Sequence, residues 1–183
     1  MAIQTRLSIE EFLRGDWPPG AQLIDGEVIV NDPTLRHQRT CLRILFALES
    51  WVRAGSERGE VGYGGNWTLA PRQVYKPDVW WVPGDRRLDL DAPRDDVPPA
   101  LVVEVRSPGT WRFDVGRKRD VYEATGVGEL WLVDTPACTV VAHRRATAES
   151  SGFDEDGAFG PGSVLASPLL EGFELPIDEL FGD

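Results

Sequence analysis

The run Leu101-Val-Val-Glu-Val105 places a glutamate among four apolar, mostly β-branched residues. Short runs of this kind read as strands near the centre of a sheet. Side chains alternate along a strand, so Leu101, Val103 and Val105 share one face while Val102, Glu104 and Arg106 share the other. A glutamate in such a strand is costly unless it is paired or bound to a cation. Glu104 therefore needs a partner, and a half-exposed strand with Glu104 paired to Arg106 is the plainest solution.

The rest of the chain predicts an α/β arrangement. Ser8-Ile-Glu-Glu11 has the form of a capping box opening a short helix to about Arg14. Asp25-Gly26 between Leu23-Ile24 and Val28-Ile-Val30 predicts a type I′ hairpin, whose second strand starts at Glu27. Asp32-Pro33 opens a long helix to about Val52, with an apolar stripe through Cys41, Ile44, Leu45, Leu48, Trp51 and Val52. Extended segments are expected at 61–69 and 74–82, then a Pro- and Asp-rich loop to Pro99. A helix over 113–125 stops at Gly126, strands follow at 130–133 and 139–143, and 176–181 forms a terminal helical turn. Residues 146–162 read as a long acidic loop, and the whole of 1–183 as one domain with an acidic loop and tail over 146–183.

Taken alone, the net charge of −11 argues against nucleic acid, since phosphate affinity is largely a matter of Lys and Arg. Its distribution weakens the objection. Nine of the 30 acids lie beyond Arg145 and none of the 19 basic residues does, so residues 1–145 carry 21 acidic against 19 basic groups. Basic residues cluster at Arg36, Arg39 and Arg43 and again from Arg106 to Arg119. There is no apolar stretch of membrane-spanning length and no signal-peptide pattern. Cys41 and Cys138, each inside an apolar pattern, read as buried free thiols, which fits a reducing cytoplasm.

Three residues invite chemistry. Asp78 follows Pro77 at the head of Val79-Trp-Trp-Val82, where a plain turn aspartate is the bland alternative. Glu104 is the second. Lys118 is the third: Asp114, Lys118, Val121 and Tyr122 lie on one helical stripe, which leaves either an Asp114–Lys118 surface pair or a lysine aimed at the sheet. Two carboxylates on neighbouring strands repel by a few kcal/mol at about 4 Å and an effective dielectric near 20. Mg²⁺ (or Mn²⁺) between them turns repulsion into binding, because a hard cation prefers carboxylates, carbonyls and water. His37, at the basic start of the long helix, is open to phosphate contact or to a capping role, and His143 reads as structural. Trp80, Trp81 and Trp131 read as core or interface, and Trp111 beside Arg112 as the tryptophan able to meet nucleic acid.

The order Lys76-Pro-Asp78, Leu101-Val-Val-Glu104-Val-Arg-Ser-Pro108, Asp114…Lys118…Tyr122…Gly126-Val and Leu130-Trp-Leu-Val-Asp134 resembles the bacterial restriction-endonuclease group Uma-two, within the PD-(D/E)XK nuclease superfamily. The hairpin at 23–27, His37-Gln38 and the tail from Ser167 to Phe181 add to the likeness, which spans about residues 8–181. It implies a restriction-endonuclease-like mixed β-sheet flanked by helices, with an N-terminal β-hairpin, and metal-dependent hydrolysis of DNA phosphodiesters. By that resemblance Asp78 and Glu104 are the metal-binding acids, the Val105 carbonyl a further ligand, and Glu27 an additional acid. The superfamily's lysine position is Arg106 here, and by the resemblance the lysine is displaced onto the next helix, which points to Lys118. Candidate DNA contacts are Arg36, His37, Arg39, Arg106, Trp111 and Arg112, and cutting two strands suggests a homodimer. The rival reading is a non-catalytic domain that uses the same fold for binding or assembly.

Overall fold

In the computed structural model, which describes residues 6–182, the capping box at Ser8 closes as its spacing predicts. Ser8 Oγ accepts from the Glu11 N–H at 3.2 Å, and the Ser8 N–H donates to Glu11 Oε2 at 2.7 Å. This opens helix α1 (Ile9–Arg14). Strands β1 (Ala21–Ile24) and β2 (Glu27–Val30) form the hairpin. Asp25 and Gly26 both take positive φ, 51° and 82°, as a type I′ turn requires. A Cβ at position 26 would also come within 2.7 Å of the Arg6 Cβ, so glycine is needed there twice over.

Helix α2 (Leu35–Arg53) starts later than Asp32-Pro33 suggested. Its cap is Thr34, whose hydroxyl accepts from the His37 N–H at 3.2 Å; a Thr side chain can satisfy an orphan N–H of the first turn and Pro33 cannot. Ile44 and Leu48 are fully buried, with Cys41, Leu45, Trp51 and Val52 packed beside them.

Each of the two expected extended segments breaks in two. Gly64 and Gly65, both at positive φ, separate β3 (Glu60–Gly62) from β4 (Trp67–Ala70). Pro77, which has no N–H to give to a ladder, separates β5 (Gln73–Tyr75) from β6 (Val79–Val82). As a result β4 and β5 join the hairpin in a four-stranded sheet ordered β2-β1-β5-β4, while β3 and β6 enter a second sheet.

That larger sheet is completed by β7 (Leu101–Val105), β8 (Glu129–Asp134), β9 (Thr139–Arg144) and β10 (Glu155–Phe159), in the order β10-β9-β8-β7-β6-β3. Only the β7–β8 pair is parallel. It is connected by α3 (Trp111–Phe113), a π-helical turn over Asp114–Lys118, and α4 (Arg119–Thr125), which ends on Gly126 at φ 92°. The strand β10 corrects the reading of 146–162 as a loop. Its backbone pairs with β9 while Glu155 and Asp156 stay exposed, so an acidic composition and an edge ladder coexist. Strands β11 (Val164–Ala166) and β12 (Glu174–Pro176) pair in the tail, and helix α5 (Ile177–Phe181) follows.

One face of the large sheet, through Val79, Trp81, Leu101, Val103, Val105, Trp131 and Val133, packs on Ile44 and Leu48 of α2 and on Leu165, Leu170 and Phe173 of the tail. The opposite face, through Val102, Leu130 and Leu132, meets Val121 and Tyr122 together with Tyr75 and Ile24 from the small sheet. The tryptophans belong to this packing. Trp131 is fully buried, Trp81 lies edge-on to Trp51 at 6.1 Å, and Trp80 packs edge-on to Trp67 at 5.3 Å. Of the core and interface alternatives, Trp131 and Trp81 take the core, and Trp80 is half-buried. Both cysteines are free and half-buried. Among the described residues no helix is long and apolar enough to cross a membrane.

Candidate active site

The ends of β6 and β7 bring the two sequence-predicted acids together. Val79 pairs with Val103 in antiparallel register, so one step further Asp78 comes level with Glu104. Asp78 Oδ2 accepts from the Val105 N–H at 2.7 Å and lies 3.1 Å from His37 Nε2. Val105 thus meets Asp78 through its amide. His37 is buried, 4% exposed, with its Nδ1 3.5 Å from Cys41 Sγ, and its backbone N–H meets the Thr34 cap. One turn of α2 carries both His37 and Cys41 inward because they are four residues apart on the same helix face.

Glu104 is 2% exposed and held from the opposite layer. Its Oε1 accepts from the Tyr122 hydroxyl at 2.6 Å and lies 2.6 Å from the Lys118 ammonium. That ammonium donates to Asp114 Oδ1 at 2.9 Å. Asp114 and Lys118 are themselves 2% and 1% exposed, so they form no surface pair. Both residues lie in the π-helical turn over Asp114–Lys118 and share a helical stripe with the buried Val121 and Tyr122; such turns recur at functional sites. Asp114 is the acid that sequence reasoning undervalued. The signal available was its i, i+4 relation to Lys118, which left a surface pair as one of two alternatives.

Electrostatics follow from that geometry. Burial pushes the Glu104 carboxyl up to about 8, aided by the charges of Asp114 and Asp78 and opposed by Lys118. Burial likewise raises Asp114, against the pull of Lys118. For Lys118 burial works against the charged form, and the Asp114 and Glu104 carboxylates outweigh it, holding the ammonium above its ordinary value. Tyr122 is raised by burial and by Glu104, so it remains a hydrogen-bond donor. Burial and then Asp78 and Glu104 push the Cys41 thiol up. The cluster carries one more buried acid than base, with the Asp78 charge acting on it besides. A second buried glutamate, Glu129, shows what a satisfied one looks like: it is met by Arg144 at 2.8 Å, Trp131 Nε1 at 2.7 Å and Ser167 Oγ at 2.5 Å.

The remaining candidates lie further out. Arg106 forms an ion pair with Asp134 at 2.8 Å, with its guanidinium 5.8 Å from the Trp111 ring centre, so it is Glu104's neighbour in sequence and not its partner. Trp111 is half-buried, Arg36, Arg39 and Arg112 are exposed, and Glu27 is exposed on the hairpin. Lys76 of the Lys76-Pro-Asp78 motif is half-buried, and burial holds its ammonium below the ordinary value. It lines a groove of about 540 Å³ together with His37, Cys41, Tyr63 and Asp78.

A hard divalent cation fits the acid pair on chemical grounds. Glu104, raised by burial and by two further acids, is the group whose ionised form a cation would favour, and Asp78 opens onto the groove from which an ion would enter.

The Uma2 family, described as putative restriction endonucleases, matches residues 9–178 of the chain. No curated protein matches it. Among solved structures, the chain is similar to a putative nuclease belonging to DUF820 from Anabaena variabilis ATCC 29413, with a TM-score of 0.80 and 20% identity over 96% of this chain and 97% of that one. At that identity the likeness establishes a shared fold.

Proposed function

Because the chain belongs to the Uma2 family of putative restriction endonucleases, we propose that it hydrolyses DNA phosphodiester bonds with Mg²⁺ or Mn²⁺ held by Asp78 and Glu104. The observation that supports this most is the buried Glu104–Lys118–Asp114 cluster, one acid in excess, facing Asp78 across the β6–β7 strand ends. When bound, the cation supplies charge for a phosphoryl oxygen and an acidified water.

The side chains have separable tasks in this reading. The Val105 amide and His37 fix the Asp78 carboxylate, and the Val105 carbonyl is a further proposed ligand. Tyr122 and Lys118 fix Glu104 by two short contacts to one oxygen, leaving the other for the ion. Lys118 keeps its proton because Asp114 stands behind it, and it is the cation we assign, in place of the lysine absent at Arg106, to orient the nucleophile or neutralise developing charge. Lys76 on the groove wall, with Arg36, Arg39, Arg112 and Trp111 further away, provides candidate contacts to the DNA strand. Glu27 remains a proposed additional acid that would have to approach from the hairpin. Action in the cytoplasm as a homodimer, one site per strand, completes the proposal.

The test is cleavage of plasmid DNA by chelator-treated protein after Mg²⁺ is restored, alongside Asp78→Asn and Glu104→Gln. Cutting by the parent and by neither variant is expected. Metal binding through these acids with no cutting of any DNA form would favour a binding module with the same fold.

A further inference from the structure

His37, Cys41 and Asp78 each place a ligand atom within 4.8 Å of the other two, on the α2 side of Asp78 and away from Glu104's lysine and tyrosine. We propose that these three residues form a second cation site, selective for zinc-class ions, that shares Asp78 with the proposed Mg²⁺ site.

The ligand set differs in kind from the acid pair. Mg²⁺ is bound by oxygen and dehydrates reluctantly, whereas thiolate and imidazole favour Zn²⁺ and its spectroscopic substitute Co²⁺. A helix supplies two of the three ligands at i, i+4, the spacing that puts both on one face. The sheet supplies the third at the head of β6.

The groove leaves room for a fourth ligand. His37, Cys41 and Asp78 all line it, with Leu42, Leu45 and Tyr63 forming its apolar walls. Three protein ligands and one open position describe a zinc site that keeps an exchangeable water. Bonds of about 2.0–2.3 Å in a tetrahedron put ligand atoms roughly 3.3–3.8 Å apart, so a separation of up to 4.8 Å has to contract by about 1 Å. Cys41 and Asp78 are half-buried at the groove and can move that far; His37 faces Asp78 with Nε2 and Cys41 with Nδ1, so its ring has to turn for one nitrogen to meet an ion held by both. On binding, the Cys41 thiol loses its proton to solvent and the imidazole keeps its single proton on the nitrogen that does not ligate. Charge and protons therefore balance with one proton released per ion.

The shared aspartate has a consequence. An ion held by His37 and Cys41 draws Asp78 away from Glu104, so zinc-class ions and Mg²⁺ compete for one carboxylate.

Titration of the full chain with Co²⁺, after chelation and under reducing conditions, tests the site without any assay of cleavage. One ion should bind per chain with a thiolate-to-cobalt charge-transfer band, and equimolar Zn²⁺ should abolish the band and protect Cys41 from alkylation. Cys41→Ser and His37→Ala should each remove the band and weaken binding by more than the roughly 10–100-fold typical of outer-sphere changes. Cys138→Ser and Glu104→Gln should leave it intact. The proposal is overturned if no thiolate band forms, if Zn²⁺ leaves Cys41 open to alkylation in the parent, or if Cys138→Ser or Glu104→Gln abolishes the band. The alkylation readout uses the parent chain, so it stands even where a variant fails to fold. Failure of the nuclease reading would show in the cleavage assay and leave this titration unaffected.

Discussion

Replacing Lys118 by methionine removes the one cation between two buried acids while keeping most of the side chain's volume. Lys118 Nζ lies 2.6 Å from Glu104 Oε1 and 2.9 Å from Asp114 Oδ1, so those oxygens are at most about 5.5 Å apart, and an ionised pair there would repel by about 3 kcal/mol at an effective dielectric near 20. Proton uptake by Glu104, whose carboxyl burial already raises to about 8, limits that repulsion at neutral pH. The Asp114 carboxylate also loses the only hydrogen bond it receives among the described residues, and breaking a buried pair by removing one partner costs about 3–5 kcal/mol. Urea denaturation of the metal-free protein at neutral pH should therefore show Lys118→Met destabilised by about that amount. The sign with pH is fixed by the same picture: without the ammonium both carboxyls bind protons more readily in the folded state than in the unfolded one, so the deficit shrinks as pH falls. Adding Asp114→Asn should recover a large part of it, because one charge then remains instead of two. A loss below about 1 kcal/mol, in the range of exposed pairs, or a deficit that grows on acidification, would refute a buried cluster with an excess acid.

Lys118→Arg should keep the fold better than methionine yet lower turnover by about 10²–10³-fold in a cleavage assay, since the planar guanidinium cannot fill a compact ammonium's place; parental turnover would remove Lys118 from the reaction. Glu104→Gln should melt, without metal, no lower than the parent, because the amide oxygen can still accept from Tyr122 and Lys118 while one charge is gone. Glu104→Ala, by contrast, leaves the Tyr122 hydroxyl without its acceptor and should cost about 1–3 kcal/mol, so equal melts for the two variants would contradict this geometry. Thr34→Ala should cost about 1 kcal/mol by removing the hydroxyl that accepts from the His37 N–H at the start of α2, measurable as a shift in urea midpoint. Finally, Glu11 is held below its ordinary value by the Ser8 N–H. A depressed carboxyl stabilises the fold above its unfolded pKa, and that benefit is lost as pH falls through the folded one. The stability gap between parent and Glu11→Gln should therefore close in acid, and a gap independent of pH would show that the capping box owes nothing to the charge.

Local rules in the sequence determined several features on their own. The capping box at Ser8, the two positive φ values at Asp25-Gly26 and the glycine stop at Gly126 each depend on residues within a few positions. The placement of β7 inside the sheet followed from its β-branched run, and the demand of Glu104 for a partner followed from burial. Which partner it takes was a tertiary matter. The nearest cation in sequence, Arg106, turns to Asp134 on β8, and the ammonium comes instead from fourteen residues on, where periodicity left a surface pair and a lysine aimed at the sheet both open and only packing chose between them. His37 and Cys41 show the same division. Their i, i+4 spacing was legible, but only the packing of α2 against the β6 end brings them to Asp78, 41 positions from His37. The acidic stretch at 155–159 became an edge strand because β9 had an open ladder beside it, a condition set by the neighbouring strand and invisible in the composition of the segment itself.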